Sequence, residues 1–283
     1  ALEAQRRGYR MYYYETKSLT FENGKVYSFC NEVIFYENRK KFYSVIRSKK
    51  IDLSKARFIL MRQNPPFNMD YITATFLLEK ISKQTQVVNA PFAVRNMPEK
   101  LHSIEFLNLM PATIFTRDIN VIDKFRKKHK KIVIKPTHGY GGKYILFVDQ
   151  KSKRRKILNY INQHDQVMVQ KFLPKIRQGD KRIFIIGGAI KGAIRRVPKS
   201  GSIISNIGQG GIPTKTTLTK QELKIAKIVA NNLKKNKIVF AGIDLISGYL
   251  TGDINITSPT GLKNYKDLTG INLAVDFWNY LEN

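Results

Sequence analysis

"KKIVIKPTHGYGGKYILFVD" (Lys130 to Asp149) is the stretch on which the fold turns. The β-branched residues Ile132 to Ile134 predict a strand, Gly139, Gly141 and Gly142 predict a tight loop, and "YILFVD" predicts a second strand. Strand, glycine-rich loop and strand is not the order of the phosphate loops that lead into a helix. Neither GxxxxGK[ST] nor GxGxxG occurs in the chain. One reading is a hairpin whose backbone folds over a triphosphate, its N–H groups turned to the phosphates while Lys135 reaches in as a point charge. An ordinary glycine-rich hairpin turn is the other, and this segment alone leaves both open.

The downstream sequence favours the first. "DQVMVQKFLP" (Asp165 to Pro174) predicts a strand, and "GDKRIFIIGGAIKGAIRRVP" (Gly179 to Pro198) predicts two strands joined tightly at Gly187-Gly188. "KSGSIISNIGQGG" (Lys199 to Gly211) is long, polar and glycine-rich, as a mobile lid would be. Thr219 with Glu222 three residues on forms a capping box that opens an amphipathic helix. In "VFAGIDLISGYLTGDINITSPTG" (Val239 to Gly261) two strands meet near Ser247-Gly248. Ile254 and Ile256 face the core there, Asp253 and Asn255 share the other face, and Asp244 reaches that face across the hairpin. Two carboxylates and an amide oxygen suit Mg²⁺ shared with phosphate. Solvent-facing polar residues on an edge hairpin are the alternative.

Upstream, "ALEAQRR" predicts the end of a helix closed by Gly8 and followed by an aromatic strand, Arg10 to Glu15. A helix feeding a strand usually has a strand before it, so a first strand is expected ahead of Ala1; a native start with a short docked helix is the alternative. "ARFILMRQNPPF" (Ala56 to Phe67), "DYITATFLLEKIS" (Asp70 to Ser82) and "TQVVNAP" (Thr85 to Pro91) predict a β-α-β unit in a largely parallel sheet, and Met97 to Asn108 predicts a helix. The expected class is α/β, with α+β character in the later part, over three units: 1–96, 97–174 and 175–283.

Composition narrows the function. With 42% hydrophobic residues in 283 the chain buries a real core, and no apolar run approaches the roughly 20 residues of a membrane-spanning helix. Cys30 is the only cysteine, which excludes an intrachain disulfide and fits a reducing cytoplasm. Fifty basic against 21 acidic residues give a formal net charge of +29. Lys outnumbers Arg by 34 to 16 and the charges spread along the whole chain, which argues against a nucleic-acid-binding face and for a general attraction of anions. Runs such as Lys124 to Lys131 and Lys151 to Lys156 read as solvated faces.

Taken in order, Lys100 in "MPEKL", Lys135 in "IKP", "GYGG", "QKFLP", "GDKR", the lid and "DINITSPTG" resemble the ATP-grasp ligases, and most closely the bacterial glutathione synthetase family. "LEAQRRGY", "MRQNPPF" and "NAP" are similar to that family's amino-terminal domain. The resemblance implies an ATP-grasp fold behind an amino-terminal parallel-sheet domain, with a first strand and its substrate-contacting loop lying ahead of "LEAQRRGY". It implies that Lys100 and Lys135 hold ATP phosphates under the loop His138 to Gly142, with Gly139, Gly141 and Gly142 closing over them. Gln170, Lys171, Phe172 and Leu173 would line the adenine slot, and Asp180 would belong to the nucleotide site. Asp244, Asp253 and Asn255 would bind two Mg²⁺ ions, with Mn²⁺ as a substitute. Arg182, Arg196, Asn206, Gly210 and Gly211 would clamp the reacting carboxylate and phosphate. Arg62, Pro65, Pro66, Ser258 and Thr260 would hold the peptide substrate.

Asp253 stands where the family usually has Glu, with Gly252 inserted before it, and Gln63, Asn64 and Asn68 replace the usual Lys and Asp residues, which weakens the assignment of peptide binding in the first lobe.

The implied reaction activates the carboxylate of γ-glutamylcysteine as an acyl phosphate, which glycine's amine then attacks. It needs no nucleophilic side chain, in keeping with a chain that has no GxSxG elbow and four histidines. The implied partners are these small substrates and further copies of the chain, such as a tetramer, with no nucleic acid and no membrane. Another ATP-grasp carboxylate–amine ligase and a basic nucleic-acid-binding module are the competing readings.

Overall fold

The computed structural model describes residues 1–37, 40–164 and 166–283, so Asp165 of the strand expected from 165 to 174 lies outside the described residues. Helix α1 (Leu2–Arg6) ends as expected at Gly8: Gly8 N donates to Gln5 O at 3.0 Å and Tyr9 N to Ala4 O at 3.1 Å. Strands β1 (Met11–Tyr13), β2 (Thr20–Glu22), β3 (Lys25–Phe35) and β4 (Tyr43–Asp52) then build an antiparallel sheet. Long β3 is its spine, pairing with β1 and β2 near its two ends and with β4 along its length. Its inward side chains Val26, Ser28 and Cys30 alternate with more exposed ones.

The expected β-α-β unit is present as β5 (Phe58–Leu60), α2 (Met69–Glu79) and β6 (Gln86–Val88), with β5 and β6 parallel. Asn68 caps α2 by accepting from Tyr71 N at 3.1 Å. Among the described residues parallel pairing is confined to this pair, so the sheet expected to be largely parallel is smaller than its antiparallel neighbour. Short connections such as Asn23-Gly24 leave β2 and β3 no room for a parallel crossover.

After α3 (Pro91–Asn96), the helix expected over 97–108 is instead a turn and a 3₁₀ segment, His102–Leu109, with non-helical geometry at Phe106. Contacts with the chain's later part hold it irregular: Ile254 N donates to Glu99 O at 3.4 Å and Thr257 Oγ1 to Glu99 Oε1 at 3.0 Å.

The middle of the chain forms β7 (Thr113–Thr116), α4 (Ile119–His129), β8 (Ile132–Pro136), β9 (Leu146–Val148), α5 (Arg154–Gln163) and β10 (Val167–Lys171). Its antiparallel sheet runs β7-β10-β8-β9. One face takes Ile122 of α4 and Ile157 and Ile161 of α5 against Ile132, Ile134, Val167 and Val169. The two basic runs lie at the ends of α4 and α5 with most of their charged side chains exposed.

The last part forms β11 (Asp180–Ile186), β12 (Ala189–Val197), β13 (Ile212–Lys215), α6 (Lys220–Lys235), β14 (Phe240–Ile246), β15 (Tyr249–Asn255), α7 (Leu262–Thr269) and α8 (Leu273–Glu282). Its antiparallel sheet runs β13-β12-β11-β14-β15 and is covered on both faces. Ile183 and Ile185 pack with Ala226 and Val229 of α6, while Phe184 and Ile186 pack with Tyr265 and Leu273 of α7 and α8. Gly187 and Gly188, both at positive φ, make the tight β11–β12 turn. The capping box opening α6 is complete: Glu222 N donates to Thr219 Oγ1 at 3.2 Å and Thr219 N to Glu222 Oε2 at 2.8 Å.

Candidate active site

The two antiparallel sheets of the middle and last parts face each other across a cleft of about 890 Å³. On β8 the alternation that sends Ile132 and Ile134 into the core sends Val133 and Lys135 to the cleft. Lys135 is only 7% exposed; its Nζ lies 3.3 Å from Asp253 Oδ2 and donates to Thr251 O at 3.2 Å. From the 3₁₀ side, Lys100 Nζ lies 3.5 Å from Asp253 Oδ1 and donates to Gly139 O at 2.5 Å. Asp253 thus stands between two ammonium groups. Burial works against its charge, but Lys135 and then Lys100 outweigh it and hold its carboxyl well below the usual carboxylate range.

Gly252 explains how Asp253 gets there. The β14–β15 register shifts between Ile243 and Leu245, and Gly252 adopts φ +86° at this bulge. Thr251 is fixed beside it, its Oγ1 donating to Asp244 O at 3.0 Å and lying 3.2 Å from Asp253 Oδ2. Across the hairpin, Asn255 Nδ2 donates to Gly242 O at 3.1 Å and lies 3.5 Å from Asp244 Oδ2.

Asp244 belongs to a buried chain of alternating charges, Arg182–Asp244–Arg196–Asp180. Arg182 grips both Asp244 oxygens, Nη2 at 2.8 Å, Arg196 Nη2 reaches Asp244 Oδ2 at 2.9 Å, and Arg196 grips both oxygens of Asp180, Nε at 2.9 Å. Burial opposes ionisation of Asp244, yet Arg182 and Arg196 hold its carboxyl below the usual carboxylate range, whereas burial prevails at Asp180 and pushes its carboxyl above that range. Arg196, Asp180 and Asp244 line the cleft; Arg182 stands one residue behind, committed to Asp244.

At the other end Val133, Ile145, Phe172, Leu173 and Ile246 make an apolar slot beside Gln170 and Lys171. Gln170 Nε2 donates to Thr113 Oγ1 at 2.9 Å. Over the top come Gly139, Gly141 and Gly142 from one side and residues 203–206 of the lid from the other. They touch: a Cβ on Gly142 would collide with Asn206 and Ile204, and one on Gly211 with Ser205 O. Asn206 lines the cleft, while Gly210 and Gly211 do not and instead shape the lid's return, where Gly211 N donates to Asn206 O at 3.1 Å.

The remaining expected residues gather beside the cleft. Arg62 Nη2 donates to Pro259 O at 3.1 Å and Ser258 Oγ to Gln63 O at 3.0 Å, joining the first-lobe loop to the Ser258–Thr260 loop, with Pro66 and Thr260 exposed. His138 does not join the glycines over the cleft; it is exposed, stacks on Phe67 at 6.2 Å, and lines a second cavity with Pro65. Sequence reasoning missed Glu99 and Thr251, which also line the cleft. Adjacency to Lys100 and the two-residue spacing from Asp253 were the signals for them.

The donor set fits a hard cation that takes most of its ligands from phosphate. Among the described residues no three His, Cys, Asp or Glu side chains group to hold a metal by themselves. Asp244, Asp253 and Asn255 instead offer two carboxylates and an amide oxygen at the cleft wall, as Mg²⁺ bound together with a nucleotide needs.

Comparison with known proteins agrees with this geometry. The family model described as prokaryotic glutathione synthetase, N-terminal domain, matches residues 1–95, and its ATP-grasp domain matches residues 99–270. The glutathione synthetase of Agrobacterium fabrum is 38% identical over 285 residues, covering 100% of this chain and 89% of that one. That of Mesorhizobium japonicum is 38% identical, covering 100% and 91%, and that of Vibrio parahaemolyticus 35%, covering 99% and 90%. Among solved structures, the ATP-grasp ligase PsnB complexed with minimal precursor superposes with a TM-score of 0.67 at 15% identity, covering 99% of this chain and 92% of that one. D-alanine–D-alanine ligase from Bacillus anthracis complexed with ATP gives 0.57 at 19% identity, covering 78% and 77%. These two likenesses establish the ATP-grasp fold, and the match to the ATP-grasp family model implies the use of ATP and a divalent metal. The sequence relatives and both family models go further: the chain belongs to the prokaryotic glutathione synthetase family of ATP-dependent carboxylate–amine ligases.

Proposed function

We propose that the cleft joins the cysteinyl carboxylate of γ-glutamylcysteine to the amine of glycine, with ATP converted to ADP and phosphate. The observation that carries this reading is the convergence of Lys100 and Lys135 on Asp253 beneath the glycine loop and the lid. Asp253 neutralises both lysines; a triphosphate brings anionic oxygens that take over their N–H donors, leaving the carboxylate for a cation. Mg²⁺, two ions in this reading, would be held by Asp244, Asp253 and Asn255 and supplies charge neutralisation at the phosphates.

The chain's own groups do the rest. Lys100 and Lys135 orient the phosphates, and the apolar slot with Gln170 to Leu173 holds the base. Arg196 presents its guanidinium to the reacting carboxylate and phosphate, while Arg182 positions Asp244. Asn206 and the lid cover the acyl phosphate and keep water from it. Ser258, with Arg62 and the Pro65-Pro66 loop, holds the dipeptide. The units 1–96, 97–174 and 175–283 act as substrate lobe, nucleotide lobe and lid-and-metal lobe. Exposed apolar side chains on β3 and β4 and the loop between them, Phe29, Phe42, Val45 and Ile46, support self-association, and buried Cys30 with ATP-dependent chemistry supports a cytoplasmic setting. No helix among the described residues is long and apolar enough to cross a membrane.

The test is to measure phosphate release and tripeptide formation by the purified protein, omitting each substrate in turn. Equal yields that require ATP, γ-glutamylcysteine and glycine together are expected; turnover only with another amine or carboxylate would move the assignment elsewhere in the superfamily.

A further inference from the structure

Tyr160 reaches both ends of the glycine loop that covers the cleft. Its Oη meets the carbonyl of Tyr144, where the chain leaves the loop, and lies 3.3 Å from Ile134 O, on the strand that enters it. Both are acceptors and a hydroxyl has one proton, so Tyr160 donates to one of them at a time. Burial pushes the Tyr160 pKa up, and the hydroxyl therefore keeps that proton. Its helix, α5, is fixed: Ile157 and Ile161 are buried against the middle sheet, and the Tyr160 ring packs beside them. His164 adds a ring 4.5 Å from that of Tyr160 and 5.1 Å from that of Tyr144.

The backbone alone does not secure this end of the loop. The β8–β9 ladder pairs Ile134 with Leu146, and the same register continued would set Pro136 opposite Tyr144. Proline has no N–H to give a ladder, and the pairing stops. Tyr144 then takes φ +61°, a left-handed backbone that a residue with a Cβ enters at a cost. A donor to its carbonyl offsets that cost and holds the turn. Tyr144 is also 63% exposed, so water can replace the donor and the fold does not depend on it. Inside the cleft the loop is held by Lys100, whose Nζ donates to Gly139 O at 2.5 Å. Phosphate oxygens that recruit Lys100 remove that hold, which leaves the outer contact at Tyr144 to keep the loop down, with Gly142 against Asn206 and Ile204 of the lid. Tyr160 itself is not in the cleft wall, so its effect on catalysis passes through the loop.

Resting on the ligase reading above, we propose that Tyr160 is a positioning residue for the acyl-phosphate step: its hydroxyl anchors the exit of the glycine loop at Tyr144 and so keeps the loop closed against the lid while the intermediate exists. When the loop lifts to admit ATP, Ile134 O takes the same proton, so opening leaves no donor unmet.

The experiment compares the wild type with Tyr160→Phe, which keeps the ring packed and removes only the hydroxyl. Turnover is expected to fall about three- to tenfold, the scale of one hydrogen bond, and phosphate released without tripeptide to rise about twofold or more, while the KM for ATP stays within about twofold. Hydrogen exchange with ADP and Mg²⁺ bound separates positioning from structure: the amides of residues 139–143 should exchange about three- to tenfold faster in the variant, with those of α5 and β8 unchanged. Unchanged coupling and loop exchange would overturn the proposal. So would faster exchange throughout α5, which would make Tyr160 a prop of the middle sheet, or a raised KM for ATP with coupling intact, which would make it a fixed part of the nucleotide site. A wild type that forms no tripeptide would count against the ligase reading instead, and the loop-exchange comparison would still decide the role of Tyr160.

Discussion

Around the large cleft the charged side chains mostly stand on strands and are paired with one another: Lys135 on β8 with Asp253 on β15, Arg182 on β11 with Asp244 on β14, Arg196 on β12 with Asp180 on β11. Around the small cavity next door the polar groups stand mostly on loops and helix ends, and its one carboxylate among the described residues, Glu99, is held by the hydroxyl of Thr257 and not by a cation. A strand carries a charge to a fixed place, and a partner across the sheet offsets the cost of burying it. That arrangement suits phosphates and a cation that must be met in one geometry. Loops such as Gln63 to Phe67 and Thr257 to Thr260 can change residue by residue without disturbing either sheet, and they are where a ligase of this fold can change its acceptor.

The largest effects are expected where paired strand charges meet ATP. Lys135→Ala and Asp253→Asn should each lower kcat by about a thousandfold or more while leaving the thermal unfolding temperature near that of the wild type, because the cleft admits water and ions that compensate the lost partner. Kinetics and calorimetry on the same preparations check this; near-normal turnover in either variant would break the strand half of the comparison.

A smaller effect is expected at the contact between the two coverings of the cleft. Gly142→Ala and Gly211→Ala force Asn206, Ile204 or the Ser205 carbonyl to move, so turnover should drop by about 10- to 100-fold with nucleotide affinity changed far less. Phosphate released without tripeptide formed should rise as water enters. Tight coupling in both variants would show that the lid does not guard the intermediate.

On the loop side, Ser258→Ala should raise the γ-glutamylcysteine KM only about three- to tenfold, since it removes one partly exposed hydroxyl whose present acceptor is Gln63 O. Varying the dipeptide at saturating ATP and glycine measures it, and a loss as large as that of Lys135→Ala would erase the distinction between strand charges and loop residues.

The chain also shows which of these features a sequence can carry. Hairpins were legible because turn glycines and alternating apolar residues act locally: Gly187-Gly188 and Ser247-Gly248 stand where they were expected. The pairing of Arg182 with Asp244, 62 residues apart, depends on which strand flanks β11, and no local pattern encodes that order. Strand β4 was missed because most of its side chains are exposed, which leaves no apolar face to read, and β3 because small Ser28 and Cys30 occupy inward positions. The 97–108 stretch has helical composition, but Glu99 and Lys100 are held from outside by Thr257 and Asp253, and tertiary contacts prevail over propensity there. Lys100, Lys135 and the Asp253/Asn255 pair were found from residue type and spacing together with family resemblance; Glu99 and Thr251 were signalled only by their neighbours Lys100 and Asp253.

The smallest effect is expected far from both cavities. Glu3 is gripped by Arg6 and then Arg7, and Arg7 in turn ties α1 to Glu282 of α8. Arg6 first, against the cost of burial, holds the Glu3 carboxyl at about 2 instead of 4.5. A carboxyl lowered on folding contributes fully above the unfolded value and loses that contribution as pH falls through the folded one. Glu3→Gln should therefore lower the unfolding temperature by about 1 to 3 °C at neutral pH, with the difference from wild type shrinking below pH 4.5 and gone near pH 2. Ligation per folded molecule should be unchanged, which makes this variant the control for both cavities.

If paired strand charges hold ATP against a carboxylate so that an acyl phosphate forms under the lid, one carboxylate oxygen leaves with phosphorus. The direct measurement is to supply γ-glutamylcysteine whose cysteinyl carboxylate carries isotopically heavy oxygen and to follow the label by mass spectrometry of the released phosphate. Transfer of a single heavy oxygen to phosphate for each tripeptide formed is the expected result, because the oxygen that leaves with phosphorus began on the carboxylate. Unlabelled phosphate alongside full product formation would rule out an acyl phosphate on this carboxylate.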